Sequence, residues 1–168
     1  MRTKSKTRPN KPYDAALLEM RKARPDLALS ARLLERGDKA GDPRATYALG
    51  TWYLFGRYFP TNIRKAMQLI RRAAKENVPS ALFDLAVSYE TGNGISKNTE
   101  LAATSYLKAA LWGDPQAVYE VGRCLHYGIG FARNRAQAKI WFERARELGT
   151  YESGQRSSRI RAKKLAKQ

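Results

Sequence analysis

The sequence predicts an all-α fold, an α-solenoid of antiparallel helix hairpins. Three observations carry that prediction. Sliding the chain by 36 residues aligns Pro43 with Pro79 and Pro115, Ala45 with Ala81 and Ala117, and Gly56 with Gly92 and Gly128, without a gap. The same helix starts and stops recur in every cycle. Small residues recur where two helices must approach: Gly50, Ala86 and Gly122 in one, Ala66, Ala102 and Ala138 in the other.

Residues 1–12 are basic, polar and outside the register, and are expected to form a disordered arm. Tyr13 to Ala23 reads as a degenerate first helix, closed by Pro25. Residues 26–41 read as a second helix, because Leu27, Ser30, Leu33, Leu34 and Gly41 lie 36 residues before Ile63, Ala66, Leu69, Ile70 and Asn77. The hairpin repeats then run over about 13–42, 43–78, 79–114 and 115–149. Asp42-Pro43 and Asp114-Pro115 place a capping carboxylate before a proline at the first helical position, where its missing N–H is harmless. Val78 holds the cap position in the middle repeat, which predicts a weaker start. Gly56, Gly92 and Gly128 supply the stop. Asn62, Asn98 and Asn134 cap a second helix ended at Asn77, Gly113 and Gly149. Past Gly149 the pattern decays, with Tyr151 at the proline position and Ser158 at the small-residue position. A final polar capping helix is expected over about 156–167, within a basic tail spanning 150–168.

Composition narrows the function. Of 168 residues, 43% are hydrophobic, too many for a disordered chain. A single cysteine, Cys124, and a single histidine, His126, exclude an internal disulfide framework and a His/Cys zinc site. No metal and no cofactor is expected. No apolar run approaches a membrane span, and the basic N-terminus lacks the apolar core of a signal peptide, so a cytoplasmic location is expected. The Ile160–Gln168 stretch offers too little apolar surface for strong membrane anchoring.

The net charge is +17, and the ends carry a disproportionate share: +6 in residues 1–25 and +5 in 152–168. The plainer reading is two solvated ends. The sharper one is a pair of basic arms aimed at an acidic partner or nucleic acid, with Arg156, Arg159, Arg161, Lys163 and Lys164 as the tail's contacts. Neither arm interleaves aromatics that would stack on bases.

In the third cycle the order Ala117, Val121-Gly122, Gly128-Ile129-Gly130, Asn134, Ala138, Trp141-Phe142, Ala145, Gly149 resembles the Sel-one-like repeat, a relative of the tetratricopeptide repeat. The period and the Gly-x-Gly loops, Gly92-Asn93-Gly94 and Gly128-Ile129-Gly130, favour it over the tetratricopeptide pattern. Tyr58 departs from it at the second loop glycine, and Leu69 and Ser105 at the tryptophan. The resemblance implies a right-handed solenoid whose first helices line the concave face. It also implies a protein-binding adaptor or scaffold, and is compatible with an immunity-like or regulatory role. Secreted members linked with enzyme activity carry paired cysteines that this chain lacks, so no enzyme is expected. The expected partner is another protein with an acidic surface or an extended segment, with nucleic acid bound through the basic termini as the alternative. The sequence leaves the oligomeric state open.

The residues themselves carry no catalytic pattern. The glycine loops follow no strand and precede no Gly-Lys-Ser/Thr, so they are helix stops rather than phosphate cradles. Cys124 and His126 are two positions apart, about 200° around a helix, which argues against a nucleophilic pair. No recurring carboxylate pair offers an acid/base dyad. The expected groove therefore rests on first-helix residues. Tyr47, Phe83 and Tyr119 form a ladder that serves either binding or the repeat's own packing. Leu54, Phe55, Arg123, His126 and Tyr127 do not recur and are the better contact candidates. Trp141 and Phe142 belong to the expected core, whereas the orientation of Trp52 and Trp112 stays open.

Overall fold

The computed structural model describes residues 11–165, so most of the expected N-terminal arm and residues 166–168 lie outside the described residues. Nine helices and no strand occur among the described residues. They are α1 (Pro12–Met20), α2 (Leu27–Lys39), α3 (Pro43–Phe55), α4 (Ile63–Lys75), α5 (Pro79–Thr91), α6 (Thr99–Leu111), α7 (Pro115–Tyr127), α8 (Arg135–Glu147) and α9 (Tyr151–Leu165). From α2 to α8 every helix is 13 residues long and the starts repeat in the predicted register. The fold class is the all-α repeat solenoid.

Local chemistry accounts for the helix ends. The Asp42 carboxylate accepts from Arg44 N at 3.0 Å, and that of Asp114 from Gln116 N and Ala117 N, both at 3.0 Å. Asn62, Asn98 and Asn134 accept from the amides of Lys65, Leu101 and Gln137. Val78 makes no side-chain cap bond, as expected. Gly128 closes α7 in the left-handed conformation, φ 73°, which a side chain would strain.

Both ends differ from expectation. α1 begins at Pro12, inside the segment expected to be disordered, and stops at Met20 rather than continuing to Ala23. α9 begins at Tyr151, not near 156, and thus occupies the place of a fourth cycle's first helix. A proline at the first position favours such a start but is not required for it. The Thr150 hydroxyl donates to the Pro115 carbonyl at 2.9 Å and ties the start of α9 to the start of α7.

The chain divides into two compact units, Met1–Ala73 and Ala74–Gln168. In the first, α2 packs on α1 and α3 around Ala16, Ala31, Leu34, Ala45, Leu49 and Trp52. Trp52 is buried within a ring cluster with Tyr58 and Phe59, so Tyr58 replaces the missing loop glycine with aromatic packing. In the second, α5–α6 and α7–α8 form hairpins, α6 packs on α7, and α9 lies on α7 and α8. Its core holds Ala86, Ala102, Tyr106, Val121, Cys124 and Ala138, with Trp141 and Phe142 packed against it. Gly122 sits where a Cβ would come within 2.8 Å of the Phe142 ring. Trp112, in contrast, is 57% exposed.

Cys124 has no exposed surface, and burial pushes its thiol up to about 12. At pH 8 the thiol is therefore almost wholly protonated. Ellman's reagent is expected to leave the folded protein unlabelled and to titrate one thiol per chain after denaturation. Rapid labelling of the native protein would contradict the packing of α7.

Candidate functional site

The first-helix residues expected to line a groove fall into three groups. In the first unit, Phe55 is 76% exposed, while Leu54 and Tyr47 are half-buried. In the second, Phe83 meets the Tyr106 ring edge-on with centroids 5.5 Å apart, and Tyr119 is buried between Phe142 and Tyr151. These two ladder aromatics pack within the unit, the plainer of the readings open to them. Tyr127 is 67% exposed, with the half-buried His126 edge-on to it at 4.6 Å.

The structure brings Tyr119, Arg123 and Tyr127 to one cleft of about 330 Å³ between α7 and α9. Its other wall is α9, through Gln155, Ser158 and Arg159. α9 thus covers part of the first-helix face of α7 on which contact residues were expected. A larger hollow of about 570 Å³ lies among α6, α7 and α8, lined by Leu107, Leu125, Phe131, Ile140 and Trp141 among others. It contains none of the expected contact residues.

Arg123 corrects an expectation. It does not project as a free groove anchor but is only 8% exposed. Its Nη2 donates to Glu90 Oε1 and its Nε to Glu120 Oε2, each at 2.6 Å. Arg161 corrects another, because it is not a solvated tail charge. Its Nη2 donates to Glu120 Oε1, and its Nη1 donates to the Tyr106 hydroxyl at 2.9 Å. That hydroxyl in turn donates to Glu90 Oε2 at 2.9 Å. Two carboxylates and two guanidiniums therefore close a neutral buried network linking α5, α6, α7 and α9.

Burial opposes the charge on both arginines, but Glu120 and Glu90 outweigh it for Arg123. Tyr106, Glu120 and Glu90 do so for Arg161, and both groups stay protonated above their ordinary range. Burial drives the Tyr106 hydroxyl well above its ordinary value, so it stays a neutral donor. Of the remaining tail residues, Arg156 and Arg159 are exposed, and the side chains of Lys163 and Lys164 lie outside the described ones.

Sequence reasoning missed this network, although half of its signal was present. Glu90 and Arg123 lie on the first helices of neighbouring repeats and are opposite in charge. Among the described residues no cluster of His, Cys, Asp and Glu could hold a metal ion, and no helix is long and apolar enough to cross a membrane.

Comparison with known proteins gives one family. The Sel1 repeat model matches residues 43–78, 79–113 and 115–150. A Sel1 repeat protein from Oxalobacter formigenes is 34% identical with a TM-score of 0.68, over 73% of this chain and 92% of that one. Helicobacter pylori cysteine rich protein B is 24% identical with a TM-score of 0.56, over 73% of this chain and 92% of its own. A protective antigen of uropathogenic Escherichia coli with an SLR fold is 24% identical with a TM-score of 0.76. That match covers 82% of this chain, which spans only 30% of the antigen's length. No curated protein matches the chain.

Proposed function

Since the chain belongs to the Sel1 repeat family, whose repeats mediate protein–protein interaction, we propose that it is a non-enzymatic adaptor that holds a partner protein on the first-helix face of its second unit. The observation that carries this reading is the cleft between α7 and α9. A large aromatic, Tyr127, stands 67% exposed at its rim, edge-on to His126 and lining the cleft with Arg159. Exposed aromatics beside arginine are the usual anchors of interfaces. The most nucleophilic side chain nearby, Cys124, is sealed and protonated, which supports a binding rather than a catalytic role. The net charge of +17 favours a partner with an acidic surface, drawn in by long-range attraction. The nucleic-acid alternative loses support from Arg161, whose charge is spent inside the protein.

The test is affinity capture from native lysate, with and without nuclease, by wild type and Tyr127→Ala. A protein partner should survive nuclease, and the substitution should weaken its binding by about 1–2 kcal/mol. Capture that vanishes with nuclease, or that is indifferent to Tyr127, would overturn this reading.

A further inference from the structure

α9 is built unlike the other helices. Among its described side chains those turned toward α7 are Tyr151, Gly154, Ser158 and Arg161, of which Tyr151 is the one large ring. Gly154 lies so close to the Tyr119 ring that any Cβ there would overlap it. The Ser158 hydroxyl lies within reach of two acceptors, the Gly154 carbonyl of its own helix at 2.9 Å and Glu120 Oε1 at 3.3 Å, and one turn further Arg161 enters the carboxylate pair. Arg156 and Arg159 are exposed on the same helix, Arg159 at the cleft wall, on a molecule already strongly cationic.

The fit is also incomplete. Arg161 Nε is buried with no hydrogen-bond partner, 3.6 Å from Glu90 Oε2. Beyond the Tyr151 ring contacts and the approach of Gly154 to Tyr119, the described side chains of α9 meet the seat through ionic and hydrogen-bonding groups, with one guanidinium donor unmet.

Beneath α9 the seat itself carries Glu90, Glu120 and Arg123, a net charge of −1, together with the Tyr106 hydroxyl and the Tyr119 ring face. A guanidinium is the group this arrangement accepts, because its planar fork can bridge a carboxylate and a hydroxyl at once.

We propose that this seat is a receptor for an arginine-bearing helix of a partner protein, and that α9 occupies it as an intramolecular stand-in which the partner displaces. The proposal rests on the adaptor reading and specifies its ligand. The recognition pattern is the one α9 displays: a small residue, a second small residue four positions on, and an arginine three beyond that, all on one helix face. A second copy of this chain would bring another +17 to the encounter, so the occupant is a different protein, acidic overall, whose docking helix carries the arginine. Its acidic exterior gives the encounter and its arginine gives the register.

The test uses the full chain with Gly154→Leu and Arg161→Gln, which unseats its own α9, and a fluorescent peptide of residues 149–168 as the probe. At 150 mM salt the variant should bind the peptide saturably, at least tenfold more tightly than wild type, whose seat is filled. Replacing arginine 161 of the peptide by glutamine should weaken binding to the variant at least tenfold. Equal binding by wild type and variant, equal binding of the two peptides, or no binding by a variant that still melts cooperatively would each overturn the proposal. Hydrogen exchange on the wild-type chain is the independent measurement. α9 amides should exchange at least tenfold faster than the α7 core amides, and equal protection would make α9 a fixed core element and end the proposal. If the peptide fails while capture still depends on Tyr127, the seat is refuted and the adaptor reading stands.

Discussion

Glu120→Ala is expected to cost about 3–5 kcal/mol and to lower Tm by roughly 10 °C. Glu120 is almost wholly buried and neutralises both Arg123 and Arg161. Removing it leaves two guanidiniums facing one remaining carboxylate, Glu90, in a site closed to water. The penalty is that of uncompensated charge and not merely of lost attraction, which is why it exceeds that of a surface pair. Arg144→Ala is the contrast. Its partner Glu147 lies 2.8 Å away, but both side chains are more than half exposed, so the change should stay within about 0.5 kcal/mol. Thermal melts of the two variants decide the matter. A loss below about 1 kcal/mol for Glu120→Ala would mean that water reaches the network.

Gly122→Leu is expected to cost about 3 kcal/mol through overpacking. A Cβ alone would stand 2.8 Å from two Phe142 ring atoms and 3.2 Å from the Trp141 Cβ. Phe142 cannot swing aside freely, since it also packs against Tyr119 and Tyr151. The damage should therefore spread from the α7–α8 crossing to the seat of α9. Denaturant unfolding of this variant should show a lower midpoint, and an unchanged midpoint would show that the crossing has slack.

The fold was legible because repetition amplifies weak signals. One Asp-Pro pair is an indifferent helix start, but two of them in register with a third proline, each followed by a glycine stop, leave little freedom. The second-helix caps at Asn62, Asn98 and Asn134 behaved as read for the same reason. The candidate site was legible only in part, because its residues do not repeat. Tyr127 could be picked out as an aromatic without a packing counterpart. Arg123 stood out in the same way, but an unrepeated charge means either a free contact or a private partner, and its partners here are Glu90 on α5 and Glu120 on its own helix. Arg161 had no register to place it, since α9 lacks the proline start and the glycine stop. Composition made the tail look solvated. Only the close approach permitted by Gly154 lets α9 lie near enough to α7 for Arg161 to reach inside.

The same network sets an order of events during synthesis. Glu120 is made 41 residues before Arg161, and Tyr106 is made 55 before it. At about 5–20 residues per second, a nascent chain holds Glu120 without its second arginine for roughly 2–8 s. Until Arg161 is in place, the interior sets Glu90 and Glu120 against Arg123 alone, a net charge of −1. The charge balance of the second unit is therefore completed by α9, the last of the described helices to be made.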